Sequence, residues 1–295
     1  MTISIAHLGP AGTYTETTAL AYADWRDRET GQKSFLCPYP TIAQTLRAVA
    51  NKQADLAVVP VENLIHGSVA MTLDTLWQLE GLNIQKALVL PIVNALISLS
   101  PALESIKTVY SHPQALAQCQ NWLNQYLPSV QQIASNSTTE ALEHLGDDAT
   151  GAAISSQRAA RLYNLPILAE DINDYRGNCT RFWVIGWPKA ESGGYVSLAF
   201  SVPANVPGAL MKPLQVFAKK NINLSRIESR PTKRSLGEYL FFIDLESDRD
   251  RVNAALVELH QYVEVLKIFG RYDLYAIKDG KIASQLSSNA GTLNY

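Results

Sequence analysis

Short apolar segments alternate with helix-forming stretches along the first 190 residues, and this rhythm constrains the fold more than any other property of the chain. Residues 3–8 read as a strand, Gly9, Pro10 and Gly12 punctuate it, and Thr13 or Thr15 stands where the cap of an Ala/Leu-rich helix belongs. The unit then repeats as a strand at 35–39, a helix at 41–51, a strand at 55–59 and a helix at 69–79. Such alternation predicts a mainly parallel sheet covered on both faces. After the apolar stretch 82–100 the pattern restarts: strand 108–110, helix 113–126 with Pro113 in its first turn, strand 130–134, helix 138–145 capped by Ser137. Residues 152–154, 167–169 and 182–185 supply further strands. A restart of this kind predicts two α/β lobes, one from 1–80 plus 170–188 and one from 81–169, with a small-molecule cleft between them.

The rhythm changes after a Pro/Gly-rich stretch that includes Trp187, Pro188, Gly193 and Gly194. Val196, Leu198 and Phe200 alternate with Ser197 and Ala199, placing the apolar set on one strand face. Leu210, Leu214, Phe217 and Ala218 recur at helical spacing, and Val252, Ala255, Leu256 and Leu259 do the same. With strands at 224–229, 238–245 and 263–269, the order βαββαβ describes a ferredoxin-like sandwich with helices on one side of an antiparallel sheet. The expected division is a two-lobed unit over 1–188, a smaller domain over 195–275 and a flexible tail over 276–295, where the sequence turns polar and small.

Charge excludes several classes of function. The formal net charge is -2 with no long basic run, so nothing in the chain would neutralise a row of nucleic-acid phosphates. The apolar stretch 87–99 contains Pro91 and Asn94 and falls short of the roughly 20 residues a membrane span needs. The start of the chain shows no secretion signal, and three scattered cysteines without a CxxC pair fit reduced thiols, so a cytoplasmic protein is expected. The five histidines show no ligand-like spacing with those cysteines, so no metal is expected.

Polar residues gather where strands meet helices. The Gly9–Thr13 turn lacks both the P-loop and the dinucleotide-binding pattern, although amides at a helix start can hold a carboxylate. Glu62 and Asn63 follow Pro60 at the end of a strand, at the sheet edge where open α/β folds bind ligands. Ser111 and His112 occupy a similar junction, with Gln118 further along the following helix, and Thr180 and Arg181 begin an apolar strand. Each of these segments alone is equally well explained as a cap, a turn or a solvated loop.

In order, however, they resemble the prephenate dehydratase family: Gly9-Pro10-Ala11-Gly12-Thr13-Tyr14, Val59-Pro60-Val61-Glu62-Asn63 with Gly67-Ser68-Val69, Tyr110-Ser111-His112-Pro113-Gln114 with Gln118, Asn136-Ser137-Thr138, and Asn178-Cys179-Thr180-Arg181-Phe182. The resemblance covers nearly the whole chain. It implies a two-lobed dehydratase domain similar to type II periplasmic binding proteins, followed by a ferredoxin-like ACT domain. With no chorismate mutase segment ahead of the first motif, the similarity is to monofunctional members. The implied reaction is decarboxylative dehydration of prephenate to phenylpyruvate without any cofactor, with arogenate as the alternative substrate. A non-catalytic small-molecule-binding regulator is the remaining reading.

The family likeness casts Thr180 as the hydrogen-bond donor to the departing hydroxyl, with Glu62 as a relay and Asn63, Ser111 and Gln118 orienting the substrate. Thr13, Ser68, Asn178 and Phe182 would complete the binding surface. Arg181 would either pair with a substrate carboxylate or brace the protein. In the second domain, Asn205, Pro207, Gly208, Ala209 and Leu210, together with Glu228, Ser229, Arg230 and Pro231, resemble the two phenylalanine-binding motifs of the family's ACT domain. Phenylalanine is therefore the expected effector, held between ACT domains of a homodimer or homotetramer.

Overall fold

The computed structural model describes residues 2–146, 149–190 and 192–286. The chain opens with β1 (Ile3–Leu8), α1 (Tyr14–Thr30), β2 (Ser34–Tyr39), α2 (Ile42–Ala50), β3 (Leu56–Asn63), the short β4 (Gly67–Ser68), α3 (Ala70–Gln78) and β5 (Asn83–Pro91). Thr13 caps α1 by accepting from the Glu16 amide, Thr41 caps α2 in the same way, and Gly31 ends α1 in the left-handed conformation. After β5 the chain crosses into a second lobe of β6 (Asn94–Ile97), β7 (Thr108–Ser111), α4 (Pro113–Gln118), α5 (Gln120–Tyr126), β8 (Gln131–Ala134), β9 (Gly151–Ser156), α6 (Gln157–Leu162) and β10 (Ile167–Ala169). It returns as β11 (Cys179–Gly186).

The lobe boundary is therefore near residue 92 and not 81, because β5 pairs along its length with β11 and belongs to the first sheet. Nor is that sheet mainly parallel. With the C-terminal strands β16 (Leu274–Lys278) and β17 (Lys281–Gln285) its order is β17-β16-β5-β11-β3-β1-β2, and β11 runs antiparallel to both neighbours because it re-enters from the second lobe. The second sheet, β10-β6-β9-β7-β8, is also mixed. The helix expected over 113–126 breaks at Cys119, and the segment capped by Ser137 is a 3-10 helix over Glu140–Gly146, Ser137 Oγ accepting from the Glu140 amide at 3.0 Å.

The second domain follows the expected βαββαβ order: β12 (Tyr195–Ser201), α7 (Met211–Lys219), β13 (Asn223–Pro231), β14 (Tyr239–Glu246), α8 (Arg249–Leu259) and β15 (Val265–Tyr272). Its antiparallel sheet has the order β13-β14-β12-β15. Val196, Leu198 and Phe200 face α7 and α8, burying Val216, Phe217, Val252 and Leu259. The opposite face is also buried. Ala199, Leu240, Phe242 and Phe269 join a core that contains Leu46, Val49, Leu73 and Leu76 of α2 and α3, so this sheet lies directly on the first lobe. Lys267 Nζ, on β15, donates to Leu79 O at 2.6 Å and Trp77 O at 2.9 Å, satisfying carbonyls at the end of α3 where a cation is favoured.

Residues 276–286 do not form the flexible tail expected from composition. The chain leaves β15, adds β16 (Leu274–Lys278) parallel to β5, turns at Asp279 and Gly280, and returns as β17 (Lys281–Gln285). Leu274, Ala276 and Ile277 are buried there, which supplies the free energy that the polar flanks conceal. The rest of that expectation, 287–295, lies outside the described residues. No helix among the described residues is long and apolar enough to cross a membrane, and no group of three or more His, Cys, Asp or Glu among them is arranged to hold a metal ion.

Candidate active site

A cavity of about 440 Å³ lies between the lobes, within the size range of small-molecule sites. Asn63, His66 and Ser68 line it from one segment, Thr180 and Phe182 from β11, and His112 and Gln118 from the second lobe. Helices α1, α3 and α4 all begin at its wall, and the first residue of α3 follows Val69, which offers no capping side chain. The lining contains no lysine, arginine, aspartate or glutamate. An anion there would be met by helix-start amides, side-chain amides and hydroxyls, and the two imidazoles.

At its floor Asn63 Nδ2 donates to Thr180 Oγ1 at 3.0 Å and lies 3.1 Å from Asn178 Oδ1 and 3.2 Å from Cys179 O. With a lone pair of Thr180 occupied by that amide, its own proton is free to be donated into the cleft. Asn63 Oδ1 accepts from the amides of Ile65 and His66, both at 3.1 Å, which fixes the loop carrying His66. His66 Nδ1 lies 3.1 Å from Gln118 Nε2, so a polar chain spans the cleft from one lobe to the other. On the far side Tyr14 Oη sits 2.8 Å from Val93 O and 2.9 Å from Asn94 Oδ1, and burial pushes its phenol well above the usual range. Burial also lowers the His112 imidazole, and the neighbouring His66 lowers it further.

This neighbourhood holds Asn63, Ser68, Gln118, Thr180 and Phe182 from the sequence-derived set, with Asn178 beside Asn63. Thr13 lines an adjoining cavity around Tyr14, where its hydroxyl caps α1. Three expected residues lie elsewhere. Ser111 is fully buried and donates to Ile154 O at 2.6 Å, a bond between strands of the second lobe. Glu62 and Arg181 turn to the opposite face of the sheet, where Arg181 Nη2 meets Glu62 Oε2 at 2.8 Å and Asp244 Oδ2 of the ACT domain at 2.6 Å. The Arg181 guanidinium is thus engaged by two carboxylates of the protein itself.

A β-bulge explains the turn of Glu62. Thr180 pairs with Asn63 and Arg181 with Glu62, but Phe182 pairs with Pro60, so one residue of β3 is extra. Strict alternation from Val59 and Val61, both buried toward the ACT side, would have sent Glu62 into the cleft and Asn63 away from it. The bulge reverses them. His66 and Tyr14 are cleft residues that the sequence reading left without a role; the signal for His66 was its place between Asn63 and Ser68.

In the ACT domain, Asn205 lines a cavity of about 210 Å³ with Thr232, Tyr239, Phe241 and Glu264. Pro207, Gly208, Ala209 and Leu210 form the turn before α7, with Gly208 at φ +78. On β13, Glu228 shares the inward face with Arg230, which binds Asp74 of α3 through two bonds of 3.0 and 3.1 Å, while Ser229 and Pro231 are exposed.

Two α/β lobes around a polar cleft without side-chain carboxylate, ammonium or guanidinium groups, with a ferredoxin-like domain packed against the first lobe, define a bilobal small-molecule-binding class of protein. A prephenate dehydratase family model matches residues 5–190, and an ACT domain model matches residues 196–261. The chain belongs to the prephenate dehydratase family. It is 42% identical over 274 residues to a bifunctional chorismate mutase/prephenate dehydratase of Aquifex aeolicus, covering 92% of this chain and 73% of that one. A prephenate dehydratase of Methanocaldococcus jannaschii is 37% identical over 279 residues, covering 93% and 100%. Among solved structures, prephenate dehydratase from Arthrobacter aurescens in complex with L-Phe is 34% identical with a TM-score of 0.81, covering 96% of this chain and 92% of that one.

Proposed function

We propose that this protein converts prephenate to phenylpyruvate, expelling CO2 and the ring hydroxyl together, with Thr180 as the donor to the departing oxygen. The observation that carries this reading is the Asn63–Thr180 hydrogen bond at the floor of a cleft free of charged side chains. Asn63 fills an acceptor site of the threonine hydroxyl and so aims its proton outward. Hydroxide leaves poorly at neutral pH, and a donor fixed at the reacting oxygen contributes roughly 10²–10⁴ in rate. The start of α3 and the His66 and His112 rings receive the two carboxylates. Apolar walls at Ile92, Pro60 and Phe182 favour neutral CO2 over the carboxylate that releases it.

Phenylalanine binds the ACT domain as effector, its carboxylate at the Gly208 turn and its ring beside residues 228–231, and the site is completed by a second copy of the chain in a homodimer or homotetramer. The L-Phe complex of the Arthrobacter aurescens protein supports phenylalanine as the ligand. The deciding experiment incubates pure protein with prephenate and, separately, with arogenate, and follows phenylpyruvate and phenylalanine. Phenylpyruvate from prephenate is expected; product from arogenate alone, or from neither, sinks the proposal.

A further inference from the structure

The face of the sheet opposite the cleft carries a closed set of charges that no step of the reaction uses. Asp244 of β14 is fully buried, and both its oxygens are occupied: Oδ2 by Arg181 Nη2 at 2.6 Å and Arg226 Nε at 2.8 Å, Oδ1 by Ser197 Oγ at 2.6 Å and Arg226 Nη2 at 3.1 Å. Ser197 Oγ also lies 2.7 Å from the buried Tyr272 hydroxyl. Two arginines balance the buried Asp244 and the partly exposed Glu62, so the cluster carries no net charge.

The far ends of these bonds are what give the cluster a role in turnover. Arg181 is the chain neighbour of Thr180, and Glu62 is the chain neighbour of Asn63. Arg226 Nη1 donates to Ser68 Oγ at 3.2 Å, and Ser68 is paired with Glu62 across the β3–β4 turn. One carboxylate of the regulatory sheet is thereby linked, through two arginines, to the backbone segments that carry Thr180, Asn63 and Ser68. The bulge leaves Val61 without a partner on β11 immediately beside Glu62 and Asn63, so the ladder is locally disrupted where this hold acts.

We propose that Asp244 is a positioning residue of the dehydratase site: through Arg181 and Arg226 it fixes the register of Asn63 against Thr180, without touching substrate. The inference rests on the roles given above to Thr180 and Asn63. An error of about 1 Å in placing reacting groups costs on the order of 10²-fold in rate. Loss of Asp244 therefore acts on kcat, because the cleft walls that bind the substrate are left in place.

The test compares Asp244→Asn with Asp74→Asn in the full chain. Asp74 ties the same two domains together through Arg230 and Lys233, yet touches none of the three cleft segments. Asp244→Asn should lower kcat by about 10²-fold with KM within about threefold of wild type. Asp74→Asn should lower the melting temperature with kcat unchanged. Full kcat in Asp244→Asn overturns the proposal, as does a loss of kcat in Asp74→Asn in the same proportion to its loss of stability. Should Asp244→Asn fail to fold, Ser197→Ala decides, since it removes one bond to Asp244 and spares the ion pairs: kcat reduced several-fold at unchanged KM supports the assignment, and wild-type kcat overturns it. Thr180→Val measured alongside separates the two layers, because full activity in that variant removes Thr180 from the reaction whatever Asp244 does.

Discussion

Replacing Thr180 by valine removes one hydroxyl and keeps the shape of the side chain, and the structure permits the outcome to be worked out in some detail. Asn63 Nδ2 loses Thr180 Oγ1 as an acceptor but retains Asn178 Oδ1 at 3.1 Å and Cys179 O at 3.2 Å, so neither of its hydrogens is stranded. The stability cost should therefore be that of one satisfied hydrogen bond, about 0.5–1.5 kcal/mol. The rate is another matter. A loss of roughly 10²–10⁴ in kcat corresponds to about 2.7–5.4 kcal/mol of transition-state stabilisation, well above the folding cost. KM should change little, because the carboxylate sites proposed at the helix starts and imidazoles are untouched by the substitution. Thr180→Ser, which keeps the hydroxyl, should retain much of the turnover. The assay is initial-rate formation of phenylpyruvate over a range of prephenate, with urea unfolding of the same samples. A valine variant whose kcat lies within about threefold of wild type would refute the reasoning, since no general donor at that oxygen contributes so little.

Gly208 adopts φ +78 at the turn before α7, a conformation that a β-branched residue enters at a cost of about 1–3 kcal/mol. Gly208→Val should abolish phenylalanine binding in calorimetry while leaving prephenate turnover intact, and unchanged binding heat would place the effector elsewhere. A Cβ on Gly270 would sit 2.8 Å from Ile84 O and 3.0 Å from Ile84 N, where β15 crosses β5. Gly270→Ala should lower stability by about 1–3 kcal/mol in urea melts, and an unchanged midpoint would contradict docking of the ACT sheet at that strand. Burial alone would raise the Asp244 carboxyl, but Arg226 and Arg181 outweigh it and hold it well below its ordinary value, and hydrogen bonds from Arg230 lower Asp74 likewise. For carboxylates depressed in the folded state, the stabilisation is complete above the ordinary carboxylate range and is lost as pH falls through the lower folded values. Urea midpoints should accordingly decline below about pH 4, and a flat profile there would show that these pairs do not support the fold.

Much of this architecture was legible because it rests on local signals. Strand-helix alternation announced both lobes, and the βαββαβ order announced the ACT domain down to its helix faces. The cleft motifs were legible as motifs, but not the directions of their side chains. Thr180 and Arg181 are consecutive in one strand, and the period of two already forbids both from entering the cleft. Glu62 and Asn63 pose the harder case, since alternation from Val59 and Val61 gives the wrong answer and only the bulge corrects it. Ser111 was misplaced because a strand-end serine reads the same whether it faces a ligand or, as here, a carbonyl of the neighbouring strand. The C-terminal hairpin carried a readable sign, Asp279-Gly280 between apolar residues, that the polar composition around it obscured.

That hairpin alters what the ACT domain is to the rest of the molecule. Because the chain returns to β5 after β15, the regulatory unit is an insertion gripped at both ends, entering from β11 and leaving into β16, which flank β5 on either side. During synthesis, the dehydratase sheet must wait with an open edge at β5 until a whole second domain has been translated. A fragment cut after residue 190 would keep that edge bare, and a tail fused near residue 286 would load the enzyme half of the protein, not its sensor.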